Sequence, residues 1–200
     1  MMDGGRLFMT SRGWLLLLAL LMVAAPVDGT PRRTPAPADR GDECRKVIRD
    51  DGFVRPDGSR TSLAETANGA PLAIVVLKGH WCSVCTDQLE SLTRRSREIR
   101  RTGGKVVGLS TEDAGTNRML MDRHELNFPI LSEPSARLLE QLGFWMPKMG
   151  HPMPGLIFLD HCGDFAGSHR GRRPGKSQDE LILRTLRELG DRSYSCGPPS

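Results

Sequence analysis

Aromatic side chains are scarce in this 200-residue chain: three Trp, six Phe and one Tyr make up 5% of it. The formal net charge is +4, and positive residues concentrate in two stretches, 93–101 and 168–176. Nucleic-acid binding calls for aromatic residues or a known motif among such charges, and neither stretch contains an aromatic residue. We therefore interpret the two stretches as a solvated helix face and a basic loop, and we expect no nucleic-acid partner.

Long hydrophobic runs are also lacking. The longest run, WLLLLALLMVAA (14–25), falls well short of the roughly 20 apolar residues that span a bilayer. Arg6 and Arg12 precede the run and small residues follow it, a pattern that predicts a secretory signal peptide over 1–29. An uncleaved membrane anchor is the alternative. We expect an exported protein, periplasmic or secreted, with no stable membrane span after cleavage.

The segment 30–43, TPRRTPAPADRGDE, is rich in Pro, Ala and charge and has no apolar periodicity. Such a segment cannot bury enough apolar surface to fold, so it is predicted to be a disordered linker. A folded domain is expected over 44–190 and a turn-rich C-terminal tail over 191–200. The domain is long enough to bury a hydrophobic core of its own.

Within that domain, short apolar runs alternate with amphipathic segments. The runs 72–77, 105–110 and 155–160 predict strands that are buried on both faces. Helices are predicted from the cysteines after the first run to Gly103, and over 116–126, 135–143 and 177–189; the turn HCGDFAG leads into a fourth strand. This order predicts an α/β fold, a three-layer sandwich in which helices cover both faces of a central mixed sheet.

The five cysteines include only one Cys-x-x-Cys pair, Cys82 and Cys85, at the junction between a buried strand and a helix. A structural zinc site needs four ligands, so we expect no metal and no cofactor, although His80 and His151 are expected near the pair. The small ring that a Cys82–Cys85 bond closes stabilises a fold weakly and opens readily. The first turn of a helix also favours a thiolate. These properties indicate a redox centre.

The order of these elements resembles the thioredoxin fold: a buried strand, Trp-Cys-x-x-Cys opening a helix, and a proline before a later strand. Trp81 and Pro154 are the corresponding residues here. The resemblance implies that Pro154 follows a cis peptide bond and lies against the cysteines. It also implies that Trp81 shapes the docking surface, whereas filling of the core is the alternative role for this side chain.

From about Ser62 to Leu189 the chain also resembles the alkyl hydroperoxide reductase and thiol-specific antioxidant family, the peroxiredoxin-like branch of the fold. KGHWCSVC, FPILSEPSARLLEQLGFW and GLIFLDHCGDF carry this likeness. That family places its peroxide-attacking cysteine in Pro-x-x-x-Thr-x-x-Cys, which puts Cys85 at the cysteine, Lys78 at the proline and Cys82 at the threonine. The peroxide-binding arginine is also missing, since MGHPMP precedes the strand 155–160. Fast peroxide cleavage needs donors aimed at the developing charge, so these departures disfavour it.

Two reactions are consistent with the pair. In the first, Cys82 attacks the disulfide of a partner and Cys85 resolves the mixed disulfide. In the second, Cys85 attacks a hydroperoxide and the resulting sulfenic acid condenses with Cys82. Val76 stands where thioredoxins carry a buried acid, which leaves Lys78 and His80 as candidates for proton handling.

We expect a thiol–disulfide oxidoreductase whose partners are a thiol reductant or a protein disulfide, with hydroperoxide reduction as an auxiliary activity. A true thiol peroxidase is one alternative. A non-enzymatic protein that holds a partner or a copper ion through both thiolates is another. The remaining cysteines, Cys44, Cys162 and Cys196, are odd in number, so at least one is unpaired or redox-linked.

Overall fold

The computed structural model of the protein describes residues 52–171 and 176–191. The predicted signal peptide, the predicted linker and the tail beyond Asp191 lie outside these ranges, as do Cys44 and Cys196. Within the described ranges, none of the helices has both the length and the apolar character that a membrane crossing requires.

Strands and helices alternate through most of the domain. The strands of the described ranges are β1 (Phe53–Val54), β2 (Arg60–Thr61), β3 (Leu72–Val76), β4 (Lys105–Ser110), β5 (Ile130–Ser132), β6 (Trp145–Met146), β7 (His151–Pro152), β8 (Gly155–Leu159) and β9 (Phe165–Arg170). The helices are α1 (Leu63–Ala67), α2 (Ser83–Arg94), α3 (Ser96–Arg101), α4 (Ala114–Arg123), α5 (Arg137–Gln141) and α6 (Lys176–Gly190).

Seven of these strands form one mixed sheet in the order β2-β1-β5-β4-β3-β8-β9, and β6 pairs with β7 in a separate hairpin. The central strands β3, β4 and β5 are parallel, whereas β8 runs antiparallel to β3. This arrangement confirms the predicted fold class, including the strands predicted from the apolar runs and the strand after the HCGDFAG turn.

The core has two halves, one on each face of the sheet. Side chains of β3 alternate between them: Ala73 and Val75 face one cluster, and Ile74 faces the other. Helices α2 and α6 supply the first cluster, and α1 and α5 supply the second. Because both faces of the sheet are covered, the sequence of β3 is a continuous run of apolar residues.

One predicted helix is two helices in the structure. The chain leaves the helical conformation at Arg95, with φ −92° and ψ 13°, so α2 ends at Arg94 and α3 begins at Ser96. The guanidinium of Arg95 holds Glu98 and Glu180 at 2.7 Å, which fixes this corner against α6. Leu92 and Ile99, on either side of the break, contact the same core cluster. The apolar periodicity therefore continues across Arg95, and the sequence gives no sign of the break.

Other differences lie at helix ends and in short elements. Helix α5 is shorter than the predicted 135–143, because Ala136 adopts a left-handed conformation at φ 54° immediately before it. The β6–β7 hairpin and the short helix α1 were not predicted, since two-residue strands and a five-residue helix are too short to show a period.

Candidate redox site

The redox pair lies at the junction between β3 and α2. Cys82 and Cys85 are joined by a disulfide, with their Cα atoms 5.3 Å apart. Cys82 is the N-cap residue of α2, and its Sγ accepts a hydrogen bond from the Cys85 amide at 3.3 Å. The pair therefore occupies the end of the helix where unpaired amides and the helix dipole stabilise negative charge on sulfur.

The two cysteines differ in access to solvent. Cys85 is 1% exposed and packs within the core cluster that contains Leu89 and Leu156. Cys82 is only partly buried, and the next two residues, Ser83 and Val84, are exposed. A partner molecule can therefore reach Cys82 directly, whereas Cys85 is reached only after a local opening.

Trp81 stands beside the pair at the surface, with 56% of its side chain exposed. This placement rules out the alternative in which Trp81 fills the core. The Lys78 ammonium lies 4.8 Å from the centroid of the Trp81 ring, a cation–π contact. Gly79 allows the indole to lie against the loop, because a Cβ at this position would be only 2.6 Å from Trp81 Nε1.

Pro154 lies next to the strand end that carries the pair. The β3–β8 register pairs Val76 with Gly155. Extending this register by one residue places Pro154 opposite Leu77, where the loop begins. Pro154 is buried, and its carbonyl accepts a hydrogen bond from the Gly171 amide at 3.2 Å. Pro154 thus lies next to the start of the loop, while its contact with the cysteines and the cis state of its peptide bond remain predictions.

His80 is held by a residue that the sequence analysis did not identify. Both the His80 amide and its Nδ1 contact Oε1 of Glu112, at 3.2 and 2.8 Å. Glu112 follows β4, and the carboxyl ends of parallel neighbours meet at one edge of the sheet. That rule could have placed Glu112 near the motif from sequence. The contact anchors the loop before Cys82.

Val76 is buried in β3 as expected, and a buried acid, Asp179, contacts α2. Gln88, one turn beyond Cys85, donates hydrogen bonds to Gln178 and to Oδ1 of Asp179 at 3.3 and 3.4 Å. Burial raises the pKa of the Asp179 carboxyl, which is 1% exposed, although hydrogen bonds from Ser91 and Gln88 oppose the shift. This cluster joins α2 to α6 behind the redox pair.

Arg170 is the arginine that lies closest in register to Pro154. Arg170 pairs with Gly155 across the β8–β9 ladder, and its Nη1 donates to the Gly143 carbonyl at 3.0 Å. The side chain is therefore directed toward the end of α5. The absence of a peroxide-binding arginine, inferred from MGHPMP, remains a prediction.

Cys162 is itself disulfide-bonded. In this state its sulfur is not a free thiol, so it could resolve an intermediate only after its own bond is reduced. Among the described residues, no group of three or more His, Cys, Asp and Glu side chains is arranged to hold a metal ion.

Comparison with solved structures identifies the class of the fold. Peroxidoxin BcpB from Mycobacterium tuberculosis superposes with a TM-score of 0.64 at 17% identity, over 70% of this chain and 92% of that one. AhpC from Enterococcus faecalis superposes with a TM-score of 0.59 at 15% identity, over 72% of this chain and 93% of that one. The fold is thioredoxin-like, of the kind found in peroxiredoxins.

Sequence comparison identifies the family. Residues 46–165, more than half of the chain, match the AhpC/TSA family, and the chain belongs to it. Chloroplastic peroxiredoxin Q from Oryza sativa subsp. japonica is 24% identical over 131 residues, which cover 60% of this chain and 59% of the relative. A putative peroxiredoxin, bcp, from Haemophilus influenzae is 32% identical over 74 residues, 36% of this chain and 48% of the relative. The chain thus spans between about half and three fifths of the length of these curated relatives.

Proposed function

We propose that this protein is an exported thiol–disulfide oxidoreductase that works through Cys82 and Cys85. The observation that carries the proposal is the disulfide at the start of α2, which joins a partly exposed cysteine to one that is 1% exposed. Such unequal access assigns different roles to the two thiols: Cys82 is the nucleophile toward a partner, and Cys85 is the resolving thiol.

The reaction begins from the reduced pair. The Cys82 thiolate attacks one sulfur of a partner disulfide, forms a mixed disulfide and releases one partner thiolate. Cys85 then loses its proton and attacks Cys82 Sγ, which releases the second partner thiolate and closes the Cys82–Cys85 bond. Two electrons pass to the partner, and a thiol reductant returns the pair to the reduced state.

The loop before Cys82 contains the groups that we propose for transfer of the Cys85 proton. Lys78 and His80 are the candidate groups, and the structure ties each to a neighbour: Lys78 to the Trp81 ring, and His80 to Glu112. His80 keeps 55% of its side chain exposed in this contact. We propose that one of these two groups accepts the Cys85 proton and passes it to solvent.

The surface around Cys82 favours a polypeptide disulfide as the substrate. Trp81 and Val84, on either side of Cys82, are two of the large hydrophobic residues that the described surface exposes. An exposed aromatic beside an accessible sulfur supplies apolar contact area to a docking protein. Small hydroperoxides make no use of such a surface.

Thiol peroxidase activity is the second candidate, and membership of the AhpC/TSA family favours it. In this reaction the Cys85 thiolate attacks a hydroperoxide oxygen, becomes a sulfenic acid and releases an alcohol or water. Cys82 then attacks the sulfenic sulfur, and water leaves as the disulfide forms. Cys82 in place of the family threonine, and Arg170 bonded to Gly143, weaken this candidate.

Export is proposed from two independent features. The sequence of 1–29 has the pattern of a secretory signal, and Cys162 is disulfide-bonded in addition to the redox pair. Disulfides outside a catalytic pair persist mainly in oxidising compartments, which supports a periplasmic or secreted location.

Stopped-flow fluorescence tests the choice between the two reactions. In protein that lacks 1–29, and with it Trp14, Trp145→Phe leaves Trp81 to report on the neighbouring thiols. The reduced protein is mixed either with a peptide disulfide or with hydrogen peroxide, and the same is done with Cys82→Ser and Cys85→Ser added.

Exchange with the peptide should disappear in Cys82→Ser, and Cys85→Ser should accumulate a covalent adduct with the peptide that mass spectrometry detects. A rapid peroxide-dependent change that survives Cys82→Ser and disappears in Cys85→Ser would replace the proposal with the peroxidase. Absence of both reactions would leave the non-enzymatic alternative.

A further inference from the structure

The β6–β7 hairpin concentrates sulfur and imidazole donors that the proposed function does not use. The stretch 145–154 reads WMPKMGHPMP, with Met146, Met149, His151 and Met153 within eight residues. Thioether and imidazole groups are the neutral, soft ligands that select Cu(I) over Mg²⁺ or Ca²⁺.

The hairpin register brings these donors onto one face. Met146 pairs directly with His151, and residues opposite each other in an antiparallel pair project to the same side. The Met153 amide donates to the Phe144 carbonyl at 2.7 Å and so continues the ladder, which puts Met153 on the same side as His151, two residues before it. Three of the four donors thus share one face of a two-stranded ladder.

The fourth donor, Met149, lies in the turn of the hairpin, two residues before His151. The amides of Met149 and Gly150 both donate to the Met146 carbonyl, at 2.9 and 3.0 Å, so the turn closes tightly over Met146. Met149 is 62% exposed, although methionine is usually buried. An exposed thioether at the tip of a tight turn is accessible to an ion from solvent.

The hydrogen bond of His151 prepares its other nitrogen for a metal. Its Nδ1 lies 2.9 Å from the Pro152 carbonyl oxygen, which can only accept, so Nδ1 carries the proton. In the neutral ring, Nε2 then has a free lone pair. Histidines that bind metals are commonly oriented by such a bond from the second ring nitrogen to a backbone carbonyl.

We propose that Met146, Met149, His151 and Met153 form a binding site for Cu(I) that is separate from Cys82 and Cys85. Lys78, which is packed on the Trp81 ring, brings a positive charge to the neighbourhood, and Lys148 adds another within the turn. These charges repel any cation, but they repel a monovalent ion less than a divalent one, so the neutral donors favour Cu(I) over divalent ions. The Trp81 ring packs against His151 and places an aromatic group next to the site.

The site is tested on the full chain with the Cys82–Cys85 disulfide intact and with any free thiol blocked by iodoacetamide, so that thiolates cannot compete. Cu(I) is supplied without oxygen as its bicinchoninate complex, and transfer to the protein is followed from the loss of the chelator colour. The protein should remove one Cu(I) per chain. Failure to compete for Cu(I) under these conditions would overturn the proposal.

Variants locate the donors. Met149→Leu and Met146→Leu conserve volume and remove sulfur, and each should raise the Kd for Cu(I) about tenfold or more. His151→Phe keeps a ring against Trp81 but has no nitrogen, and it should weaken binding similarly. Met119→Leu is the matched control, because Met119 is also 62% exposed but lies on α4. An equal loss in Met119→Leu would refute the assignment.

A measurement on the unmodified sequence removes any dependence on how the variants fold. In protein with ¹³C-labelled methionine methyl groups, Ag(I), a redox-inert substitute for Cu(I), should shift the signals of Met146, Met149 and Met153. The signals of Met119 and Met121 should stay in place. Shifts confined to the latter two would exclude the hairpin site, and neither outcome depends on whether the redox pair reduces disulfides or peroxides.

Discussion

The indole of Trp81 and the imidazole of His151 meet edge to face, with ring centroids 5.5 Å apart and planes inclined by 70°. This contact joins the loop of the redox pair to a hairpin 70 residues further along the chain. Any change in the position of the Trp81 ring therefore reaches the proposed metal site, and binding there should alter the fluorescence of Trp81.

Gly79 should control the position of Trp81. Gly79→Ala places a Cβ 2.6 Å from Trp81 Nε1, so the indole must move, at a cost of about 1–3 kcal/mol in the free energy of unfolding. We also expect slower disulfide exchange, because the displaced ring no longer borders Cys82. Urea denaturation and the stopped-flow assay measure these two effects.

Gly167→Ala is the control for Gly79→Ala. The two glycines have nearly the same φ, 156° and 159°, but a Cβ at Gly167 meets nothing within 4 Å. The backbone cost of the substitution is therefore similar, and the difference between the variants measures the contact with Trp81. Equal losses of stability would show that the contact is unimportant.

Glu112 should hold the loop before Cys82 in place. Glu112→Ala removes the acceptor from both the His80 amide and its Nδ1, so exchange of the His80 amide with deuterium should become faster. The effect on overall stability should stay below about 1 kcal/mol, because the pair is exposed.

Glu112→Gln provides the comparison, since its amide oxygen can still accept from the His80 backbone. Amide exchange at His80 should then stay close to that of the wild type. If Glu112→Ala leaves the exchange rate unchanged as well, the loop is held by other contacts, such as the bond from the Cys82 amide to the Gly79 carbonyl.

The hydrogen bond of the Cys82 side chain as N-cap of α2 predicts different stabilities for two substitutions. In the reduced protein, Cys82→Ser keeps a side-chain acceptor for the Cys85 amide, whereas Cys82→Ala removes it. The alanine variant should be less stable by about 1 kcal/mol. Denaturation in the presence of a reductant measures the difference, and Ser62→Ala, which removes the cap of α1, sets the scale.

Asp179 should make stability depend on pH. Burial raises its pKa in the folded state, so the folded protein favours the protonated carboxyl more than the unfolded chain does. The resulting stabilisation is complete below the unfolded pKa and is lost as the pH rises through the folded pKa. Asp179→Asn should therefore lower the gain in stability that the wild type shows from neutral to mildly acidic pH.

Glu98→Gln should change the pH dependence in the opposite direction. The hydrogen bond from Arg95 lowers the pKa of Glu98, so the ionised form stabilises the fold above the unfolded pKa and this contribution disappears as the pH falls. Denaturation curves across the acidic range separate the two effects.

A pH profile that Asp179→Asn leaves unchanged would contradict the role assigned to the buried carboxyl of Asp179.

Local patterns in the sequence determined the strands β3, β4 and β8, the helix that follows the cysteines, and the pairing of Cys82 with Cys85. Each of these depends on residues that are close in the chain: a continuous apolar run, an amphipathic period, or two thiols at the start of a helix. The position of Pro154 was also predicted, but only through resemblance to a known fold.

Tertiary structure alone decided which distant residues surround the pair. Glu112 reaches His80 because β4 pairs with β3, and Asp179 reaches Gln88, 91 residues earlier, because α6 packs on α2. No local period encodes such contacts. The break at Arg95 and the short β6–β7 hairpin likewise depend on ion pairs and cross-strand contacts that only the folded chain brings together.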